Sequence, residues 1–345
     1  MGARRVTLAD VAKAVGVSQT TVSLVLSGRG TDLRISEEMQ RRVREAAAEM
    51  EYRRNRAAGR GARTRTIALV SDSVAGSRLA GDMISGALGA ARRHGVTLLL
   101  GETEGDAGLE RALIEAMHDH QVDGIVLAAV HTRAISVPAG LAERPAVLLN
   151  ALPREPSALP SVLPDEVRGG HAAARVLLDA GHTRGIHLIG ADPDGGAPPG
   201  RTAATDRLTG IRQALGEAGV AVESARPCRW WLPESGFAAT RDLLGSALPR
   251  ALICLDDRLA LGAYQALQEA GLTVPDDVSV VSFCDHPIAS WLRPGLTTVA
   301  FPHHDLGARA VDLLLAGSAP GRSGGNGAHY VTMPVRDRRS VAPPR

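Results

Sequence analysis

Two short helical segments separated by a tight turn occupy residues 7–26, and no other feature restricts the fold of this chain as strongly. Thr7 and Asp10 have the spacing of a capping box at the start of the first segment. The apolar residues that follow recur every three or four positions, which predicts one buried helical face. Gly16 then supplies the left-handed backbone conformation that a sharp reversal requires.

The second segment, which Ser18 caps, has one apolar side and one hydrogen-bonding side. Its apolar residues are Val22, Val25 and Leu26, and its small polar residues are Gln19, Thr20, Thr21 and Ser23. A helix with this polar front suits the major groove of DNA, where base edges present donors and acceptors. An ordinary antiparallel helix pair with a polar outer face has the same pattern, so further observations must decide between the two.

The charge distribution favours the DNA-binding interpretation. Ser36 and the acids after it predict a third helix, which a basic segment follows. Residues 1–65 contain 14 Lys and Arg against 7 Asp and Glu, whereas the whole chain has a net charge of +2. Such an asymmetry is an electrostatic footprint for a polyanion, although a basic arm can also serve only solubility. We therefore predict a helix-turn-helix DNA-binding domain over residues 1–58 and a Gly/Arg linker over residues 59–65.

From residue 66 onward, short apolar strands alternate with amphipathic helices. The strands lack polar alternation, which predicts parallel sheets that are covered on both faces. The pattern restarts after a Pro-rich segment at residues 153–164, so we predict two doubly wound lobes, each with room for a ligand at the carboxyl ends of its strands. The predicted first lobe takes in residues 66–164 and 296–325, and the second takes in residues 165–293 and 328–341.

Composition and spacing argue against several other functions. The chain has no apolar run of membrane-spanning length, its start lacks the apolar stretch of a signal peptide, and its three cysteines form no zinc pattern. The Gly-rich segment at residues 190–200 is interrupted by Asp and Pro, unlike a dinucleotide-binding turn. No nucleophile–base arrangement is evident. We predict a cytoplasmic protein, associated with the nucleoid, that is not an enzyme and uses no cofactor and no metal.

The sequence from Val6 to Gly28 resembles the start of transcription regulators of the lac repressor (LacI/GalR) family, and the resemblance continues through Tyr52–Arg56 and nearly all of the remaining chain. It implies an all-α helix-turn-helix head joined to an α/β bilobed effector domain like that of periplasmic binding proteins. The implied function is sequence-specific transcriptional regulation, of the repressor type, by a homodimer that binds pseudo-palindromic double-stranded operator DNA and a small-molecule effector. A solute-binding transport component has the same two lobes, but it needs an export signal and lacks a basic head.

The resemblance and the polar front of the second helix together assign the DNA-contacting residues. These are Thr7, Leu8, Ser18, Gln19, Thr20, Thr21, Ser23, Leu24, Ser36, Asn55, Arg56 and Arg60. Gly61 stands where family members wedge a Leu into the minor groove. Either the linker helix is weak and the wedge is lost, or Arg60 reads a narrow minor groove electrostatically. Leu24 stands where some members have a base-reading Arg, and Leu can contact a thymine methyl but cannot read guanine.

The resemblance also implies effector contacts in the cleft between the lobes. Arg207 matches an arginine directed at effector hydroxyls or carboxylates, although a surface arginine of a helix has the same pattern. Asp256 is expected to accept hydrogen bonds from ligand hydroxyls, while the next acid, Asp257, caps the following helix. Trp231 aligns with an aromatic wall residue, or else packs between lobe and loop. Asn150 matches a polar effector contact, or else caps a turn.

Two departures from the family pattern concern the ligand. Cys284 replaces an acid that often binds the effector, and a thiol accepts hydrogen bonds poorly, which weakens a sugar assignment. Arg78 follows an atypical first loop and brings a positive charge to the cleft, which favours an acidic ligand. The effector is therefore predicted to be a sugar or an acidic metabolite, and its predicted contacts are Arg78, Asn150, Arg207, Trp231, Asp256 and Cys284.

Overall fold

The computed structural model describes residues 6–26, 35–50, 64–74, 78–191, 202–317 and 327–344. The chain separates into two compact units, Met1–Arg63 and Thr64–Arg345. The division between them falls inside the predicted linker at residues 59–65.

The first unit contains the helices α1 (Leu8–Val15), α2 (Gln19–Leu26) and α3 (Glu37–Glu49). Thr7 and Asp10 form the predicted capping box at the start of α1. The backbone N–H of Thr7 donates to Asp10 Oδ2 at 2.8 Å, and the backbone N–H of Asp10 donates to Thr7 Oγ1 at 3.3 Å. Two of the N–H groups that a helix start would leave unpaired are thereby satisfied.

Helix caps and a small apolar core stabilise this three-helix unit. Gly16 ends α1 in the left-handed conformation, with a φ of 77°, so the chain reverses before α2. Ser18 accepts a hydrogen bond from the backbone N–H of Thr21 at 3.1 Å, and Ser36 caps α3 in the same way. The buried apolar side chains of this unit are Val11, Ala12, Val15, Val22, Val25, Val43 and Ala47. The core therefore takes one side of each helix and leaves the polar front of α2 fully or partly exposed.

The second unit contains two six-stranded sheets, each of which forms the centre of one lobe. The first-lobe sheet consists of β1 (Thr66–Ser71), β2 (Thr97–Glu102), β3 (Ile125–Ile135), β4 (Ala146–Pro153), β5 (Ser161–Pro164) and β11 (Ala328–Val331). The second-lobe sheet consists of β6 (Ile186–Ile189), β7 (Ser224–Arg226), β8 (Ala251–Cys254), β9 (Ser279–Cys284), β10 (Thr297–Ala300) and β12 (Val335–Arg336). The strand orders are β11-β5-β4-β3-β1-β2 and β12-β10-β9-β8-β6-β7.

Helices cover both faces of each sheet. The first lobe has α4 (Arg78–Arg93), α5 (Ala107–Asp119), a 3-10 turn (Leu141–Glu143) and α11 (His303–Gly317). The second lobe has α6 (Glu166–Asp179), α7 (Thr202–Glu217), α8 (Pro233–Leu244), α9 (Asp257–Glu269) and α10 (Pro287–Trp291). The described strand pairs run parallel, apart from the antiparallel pair β10–β12 at one edge. The predicted fold class, a helix-turn-helix head and two doubly wound parallel sheets, is confirmed.

The predicted lobe boundaries need a correction near the end of the chain. The sequence pattern assigns the strand at residues 297–300 to the first lobe, but β10 pairs with β9 in the second-lobe sheet. It assigns the strand after residue 328 to the second lobe, but β11 pairs with β5 in the first-lobe sheet. Each of these strands is only four residues long, and such a short strand carries no local signal of the sheet that it extends. The chain crosses between the lobes after β5, after β10 and after β11.

None of the helices in the described ranges combines the length and the apolar character that a bilayer crossing requires.

Candidate functional site

A cavity of about 210 Å³ lies between the two lobes of the second unit. The first-lobe wall consists of Val130, His131, Thr132 and His303. The second-lobe wall consists of Ala203, Arg207, Trp230, Trp231, Leu232, Asp256, Arg258 and Cys284, and Phe301 lines the cavity from the crossover between the lobes. The ends of β8 and β9 reach the cavity, which is the usual ligand position in doubly wound sheets. A cavity of this size holds several waters, which suits a small metabolite.

Arg207 on α7 is buried beside Glu166, the first residue of α6. Its Nε donates to Glu166 Oε2 at 2.6 Å and its Nη2 to Glu166 Oε1 at 2.9 Å, while its Nη1 donates to the carbonyl of Leu255 at 2.6 Å. Burial lowers the pKa of Arg207, but the attraction of Glu166 outweighs this effect and the pKa lies above its usual value. The guanidinium therefore stays charged, and a carboxylate beside it neutralises that charge.

Two glycines bring α6 and α7 close enough for this ion pair. A Cβ on Gly170 of α6 would lie 2.1 Å from the carbonyl oxygen of Arg207, and a Cβ on Gly210 of α7 would lie 1.8 Å from the carbonyl oxygen of Val167. The two helix backbones therefore touch where any larger residue would separate them. This contact fixes the spacing between Glu166 and Arg207.

Aromatic rings cover the guanidinium of Arg207. Its central carbon lies 4.7 Å from the ring centroid of Phe283 and 5.6 Å from that of Trp231, within cation–π range. An arginine has five N–H donors, and the bonds to Glu166 and Leu255 use three of them. Arg207 can thus offer a ligand hydrogen bonds in a fixed direction, but little net charge.

Asp256 and Arg258 form a second ion pair on the second-lobe wall. Asp256 Oδ1 accepts from the backbone N–H and from Nε of Arg258, both at 2.9 Å, and Oδ2 accepts from Nη2 at 3.2 Å. Asp256 is the N-cap of α9, so the predicted capping role of Asp257 is wrong. The strand before it ends at Cys254, which places the first of the two acids at the cap. Asp256 lines the cavity as predicted, although it is already bonded to Arg258.

Asp257 is instead fully buried in the second lobe, behind the cavity wall. Its Oδ1 accepts from the hydroxyl of Thr298 at 2.7 Å, and its Oδ2 accepts from the backbone N–H of His286 at 2.7 Å. Burial raises the pKa of Asp257 to about 7, and the adjacent Asp256 adds to the effect, while the bonds from Thr298 and His286 oppose it. This carboxyl group therefore titrates near neutral pH.

Cys284 ends β9 at the cavity with a φ of 105°, a conformation that a side chain rarely adopts. Its Sγ donates to Asp256 Oδ2 at 3.7 Å. Burial raises the pKa of Cys284 well above its usual value, so the side chain is a neutral thiol. The cavity therefore carries no charge at the position of Cys284.

Trp231 and Trp230 differ in exposure although both line the cavity. Trp231 is buried and packs against Arg207, whereas Trp230 is 57% exposed. The apolar side chain of Leu232, 46% exposed, continues this surface. Adjacent aromatic and apolar surface of this kind can stack on the ring of a ligand.

Asn150 lies behind the first-lobe wall and supports it. Its Nδ2 donates to the carbonyls of Ala129 and Val130 at 3.0 and 3.2 Å, and its Oδ1 accepts from the hydroxyl of Thr132 at 2.6 Å. The register of β3 against β4 shifts between Ala128 and Arg133, so Asn150 holds the irregular segment that lines the cavity. Its φ of 55° is one that Asn tolerates better than most residues.

His303 is the first residue of α11 and lies on the first-lobe wall. Its ring packs 4.3 Å from the ring of Phe301, measured between centroids. Burial lowers the pKa of His303 to about 4, although the charge of Asp82 on α4 opposes this effect. The first lobe therefore presents a neutral imidazole to the cavity.

The predicted DNA-contacting residues of the first unit lie mostly on its surface. Thr7, Ser18, Gln19, Thr20 and Ser36 are exposed, and Thr21, Ser23 and Leu24 are partly exposed. Leu8 is also partly exposed, and it packs against the three-helix core. Asn55, Arg56 and Arg60 lie outside the described residues, as does the side chain of Arg78 at the start of α4.

Sequence reasoning missed Glu166, Arg258, Trp230 and His303. Trp230 directly precedes Trp231, and Arg258 is two residues after Asp256, so their positions before α8 and after β8 could have indicated them. Glu166 is 41 residues away from its partner Arg207, and its only local signal is an acid in the first turn of a helix. The place of His303 on the first-lobe wall depends on the return of the chain to that lobe after β10, which the local sequence pattern does not show.

Comparisons with known proteins agree with both units. Residues 7–55 match the bacterial regulatory proteins of the lacI family, and residues 174–341 match the periplasmic binding protein-like domain. The chain is 34% identical over 311 residues to the HTH-type transcriptional regulator DegA of Bacillus subtilis, covering 88% of this chain and 89% of that protein. It is 30% identical over 325 residues to the ribose operon repressor of Haemophilus influenzae, covering 90% and 91% of the two chains.

A solved structure extends the similarity to the fold of nearly the whole chain. The crystal structure of the lac repressor dimer bound to operator and an anti-inducer is 25% identical, with a TM-score of 0.67, and the match covers 98% of this chain and 100% of that chain. The relatives are named as DNA-binding regulators, which agrees with the helix-turn-helix head and not with a transport component. The chain belongs to the lacI family of bacterial transcriptional regulators, whose members join a DNA-binding head to a periplasmic binding protein-like domain.

Proposed function

We propose that a small polar metabolite, a sugar or a related compound, binds in the cavity between the lobes and thereby controls the affinity of this regulator for operator DNA. The observation that carries the proposal is the composition of the cavity, whose walls come from two different lobes. A ligand that contacts both walls favours a closed arrangement of the lobes. It can shift the equilibrium only by its differential affinity for the two arrangements, typically about 1–3 kcal/mol. Names such as ribose operon repressor among the relatives support the sugar class.

The proposed effector contacts are those of the predicted residues that line the cavity, namely Arg207, Trp231, Asp256 and Cys284. Arg207 donates hydrogen bonds to ligand oxygens, and the exposed ring of Trp230 stacks on a ligand ring. His303 and Thr132 take the place that sequence reasoning gave to Asn150 in the first lobe. Asn150 acts through the wall that it supports.

Operator recognition is proposed for the exposed front of α2. Gln19 and Thr20 are exposed, short and capable of hydrogen bonding, as direct readout in the major groove requires. Asn55 and Arg56 are proposed to contact phosphates, and Arg60 to read the minor groove. We assign residues 1–58 to DNA binding, 59–65 to a linker, and the remainder to effector binding and dimerisation.

A homodimer is proposed because one recognition helix covers too few base pairs for a specific site. In the second unit, β2 is an edge strand of the first-lobe sheet and exposes Leu100, while the flanking helices expose Leu88 and Leu109. Exposed large apolar side chains of this kind favour an interface. Two-fold symmetry then predicts a pseudo-palindromic operator. We further propose that the protein acts at the nucleoid in the cytoplasm and that it has no catalytic activity.

Selection of genomic fragments by the purified protein tests the proposal. The selected operator is then titrated with and without sugars, sugar acids and nucleobases that stabilise the protein thermally. Gln19→Ala is expected to cost about 1–3 kcal/mol at the operator and little on random DNA. Gln268→Ala, at an exposed position of α9, is the matched control and leaves both affinities unchanged. A stabilising ligand that never changes operator affinity would contradict the proposed control.

A further inference from the structure

Resting on the proposed effector site, we propose that Glu166 sets the charge class of the ligand. By neutralising Arg207, it makes the cavity electrically balanced, so that the site selects an uncharged polar ligand and rejects anions. Glu166 lies behind Arg207 and acts through it, which makes it a positioning residue for specificity.

The acidic and arginine side chains at the cavity, in the part of the chain that the structure describes, form two internal pairs. Arg207 is paired with Glu166, and Arg258 is paired with Asp256. The side-chain exposures of Arg207 and Glu166 are 3% and 2%, so water screens this pair very little. Among the described side chains at the cavity, these two positive and two negative groups leave no net charge for an anionic ligand to neutralise.

Two further groups keep this balance at neutral pH. Cys284 stands beside Asp256 as a neutral thiol, because burial raises its pKa well above the usual value. His303 is a neutral imidazole, because burial lowers its pKa to about 4. An acid at the position of Cys284 would have added a negative charge next to Asp256. The charge balance of the cavity therefore depends on both walls, because Cys284 lies on the second-lobe wall and His303 on the first-lobe wall.

The geometry at Glu166 favours this role over that of a helix cap. Asp165 is the N-cap of α6 and accepts from the backbone N–H of Arg168 at 3.1 Å. Glu166 instead directs both carboxylate oxygens at Arg207, and the contacts of Gly170 and Gly210 hold the two helices at this spacing. An anion that entered the cavity would lose its hydration and meet a guanidinium whose charge is already neutralised.

Binding of inorganic sulfate to the full-length protein tests the role of Glu166. Glu166→Gln removes the negative charge with little change of shape and leaves a positive charge at Arg207. We expect this variant to bind sulfate at least about tenfold more tightly than the parent protein, because charge-assisted hydrogen bonds to an anion become available. Tryptophan fluorescence, to which Trp231 at 5.6 Å from the guanidinium contributes, and the thermal shift report binding against chloride at equal ionic strength.

Two control variants separate the local effect from net charge. Glu269→Gln, at the exposed end of α9, removes one negative charge from the protein away from the cavity and leaves sulfate affinity unchanged. The double variant Glu166→Gln with Arg207→Gln restores the charge balance of the cavity and abolishes the gain in sulfate affinity. Tight binding of sulfate by the parent protein at this cavity, or no gain in Glu166→Gln, overturns the proposal.

Loss of Glu166 leaves a buried charge unpaired, so a second variant covers a failure of Glu166→Gln to fold. Asp256→Asn keeps a good N-cap for α9 and releases Arg258, whose side chain is 38% exposed. It must also gain sulfate binding, and its failure to do so overturns the proposed charge balance. Operator affinity is measured in parallel, so that a protein with the expected sulfate behaviour but no effector-dependent DNA binding disproves only the proposed function.

Discussion

The two walls of the cavity are built from different chemistry. The second-lobe wall carries three charged side chains, Arg207, Asp256 and Arg258, together with two tryptophans. Among the described residues, the first-lobe wall presents a neutral imidazole, one hydroxyl, one apolar side chain and the exposed His131. From this difference we expect the second lobe to supply most of the hydrogen bonds to the proposed ligand, and the first lobe to close over the ligand once it is bound.

The walls also differ in what holds them in place. In the second lobe, helix backbones in direct contact at Gly170 and Gly210 position an ion pair. In the first lobe, one buried amide, Asn150, holds an irregular segment of β3 through three hydrogen bonds. The second-lobe wall therefore resists rearrangement more strongly, and the first-lobe wall is the better candidate for adjustment on closure.

The largest expected effect is on the second-lobe wall. Arg207→Ala leaves the carboxylate of Glu166 buried without its partner, and we expect it to lower the free energy of unfolding by about 3–5 kcal/mol. Urea denaturation at neutral pH measures the loss. Adding Glu166→Gln to the same chain is expected to recover part of it, because no charge is then left buried.

Arg111→Ala, at an exposed position of α5 in the first lobe, is the control and should change stability by less than about 0.5 kcal/mol. If Arg207→Ala were as mild as this control, the ion pair would contribute little and the contrast between the walls would disappear.

The second expected effect is an opposite response of the two lobes to pH, beginning with Asp257. Burial raises the pKa of this carboxyl group to about 7, so its folded state binds a proton that the unfolded state releases near pH 4. Its contribution to stability is therefore present at low pH and is lost as pH rises from about 4 through 7. Asp257→Asn is expected to remove this loss, up to a few kcal/mol, in unfolding measured across the range.

His303 on the first-lobe wall gives the opposite sign and a somewhat smaller effect. Its pKa is lowered to about 4, so the folded state resists protonation that the unfolded state accepts near pH 6.5. The contribution of His303 to stability is therefore present above about pH 6.5 and is lost as pH falls toward 4. His303→Gln is expected to flatten the acid side of the stability profile and leave the alkaline side unchanged. A profile altered on both sides would show that the lobes do not titrate independently.

Local pattern predicted the elements of this molecule better than it predicted their partners. The capping box of Thr7 and Asp10, the reversal at Gly16 and the alternation of strands and helices depend on neighbouring residues, and each is present in the structure. Four of the six predicted effector residues line the cavity. Two of them, Asp256 and Cys284, lie at the ends of β8 and β9, where doubly wound sheets bring side chains together.

The remaining features depend on contacts distant in sequence. Glu166 meets Arg207 only because two helices pack through glycines, and nothing near either residue indicates the pairing. The exchange of β10 and β11 between the lobes likewise depends on strand pairing and not on composition. The cap of α9 is predicted at Asp257 and lies at Asp256, because a one-residue difference in the strand end decides which acid caps the helix. Strand ends are the least certain part of a sequence pattern.

The smallest expected effect concerns the support of the first-lobe wall. Asn150→Ala removes three hydrogen bonds and places Ala at a φ of 55°, and we expect a loss of about 1–3 kcal/mol in the free energy of unfolding. Thr132→Val keeps the shape of its side chain but loses the donor to Asn150, at a cost of about 0.5–1.5 kcal/mol. Because the two residues share one bond, the double variant should lose less than the sum of the single variants. Additive losses would mean that Asn150 does not hold Thr132 on the wall, and the two walls would then differ in charge but not in the way they are supported.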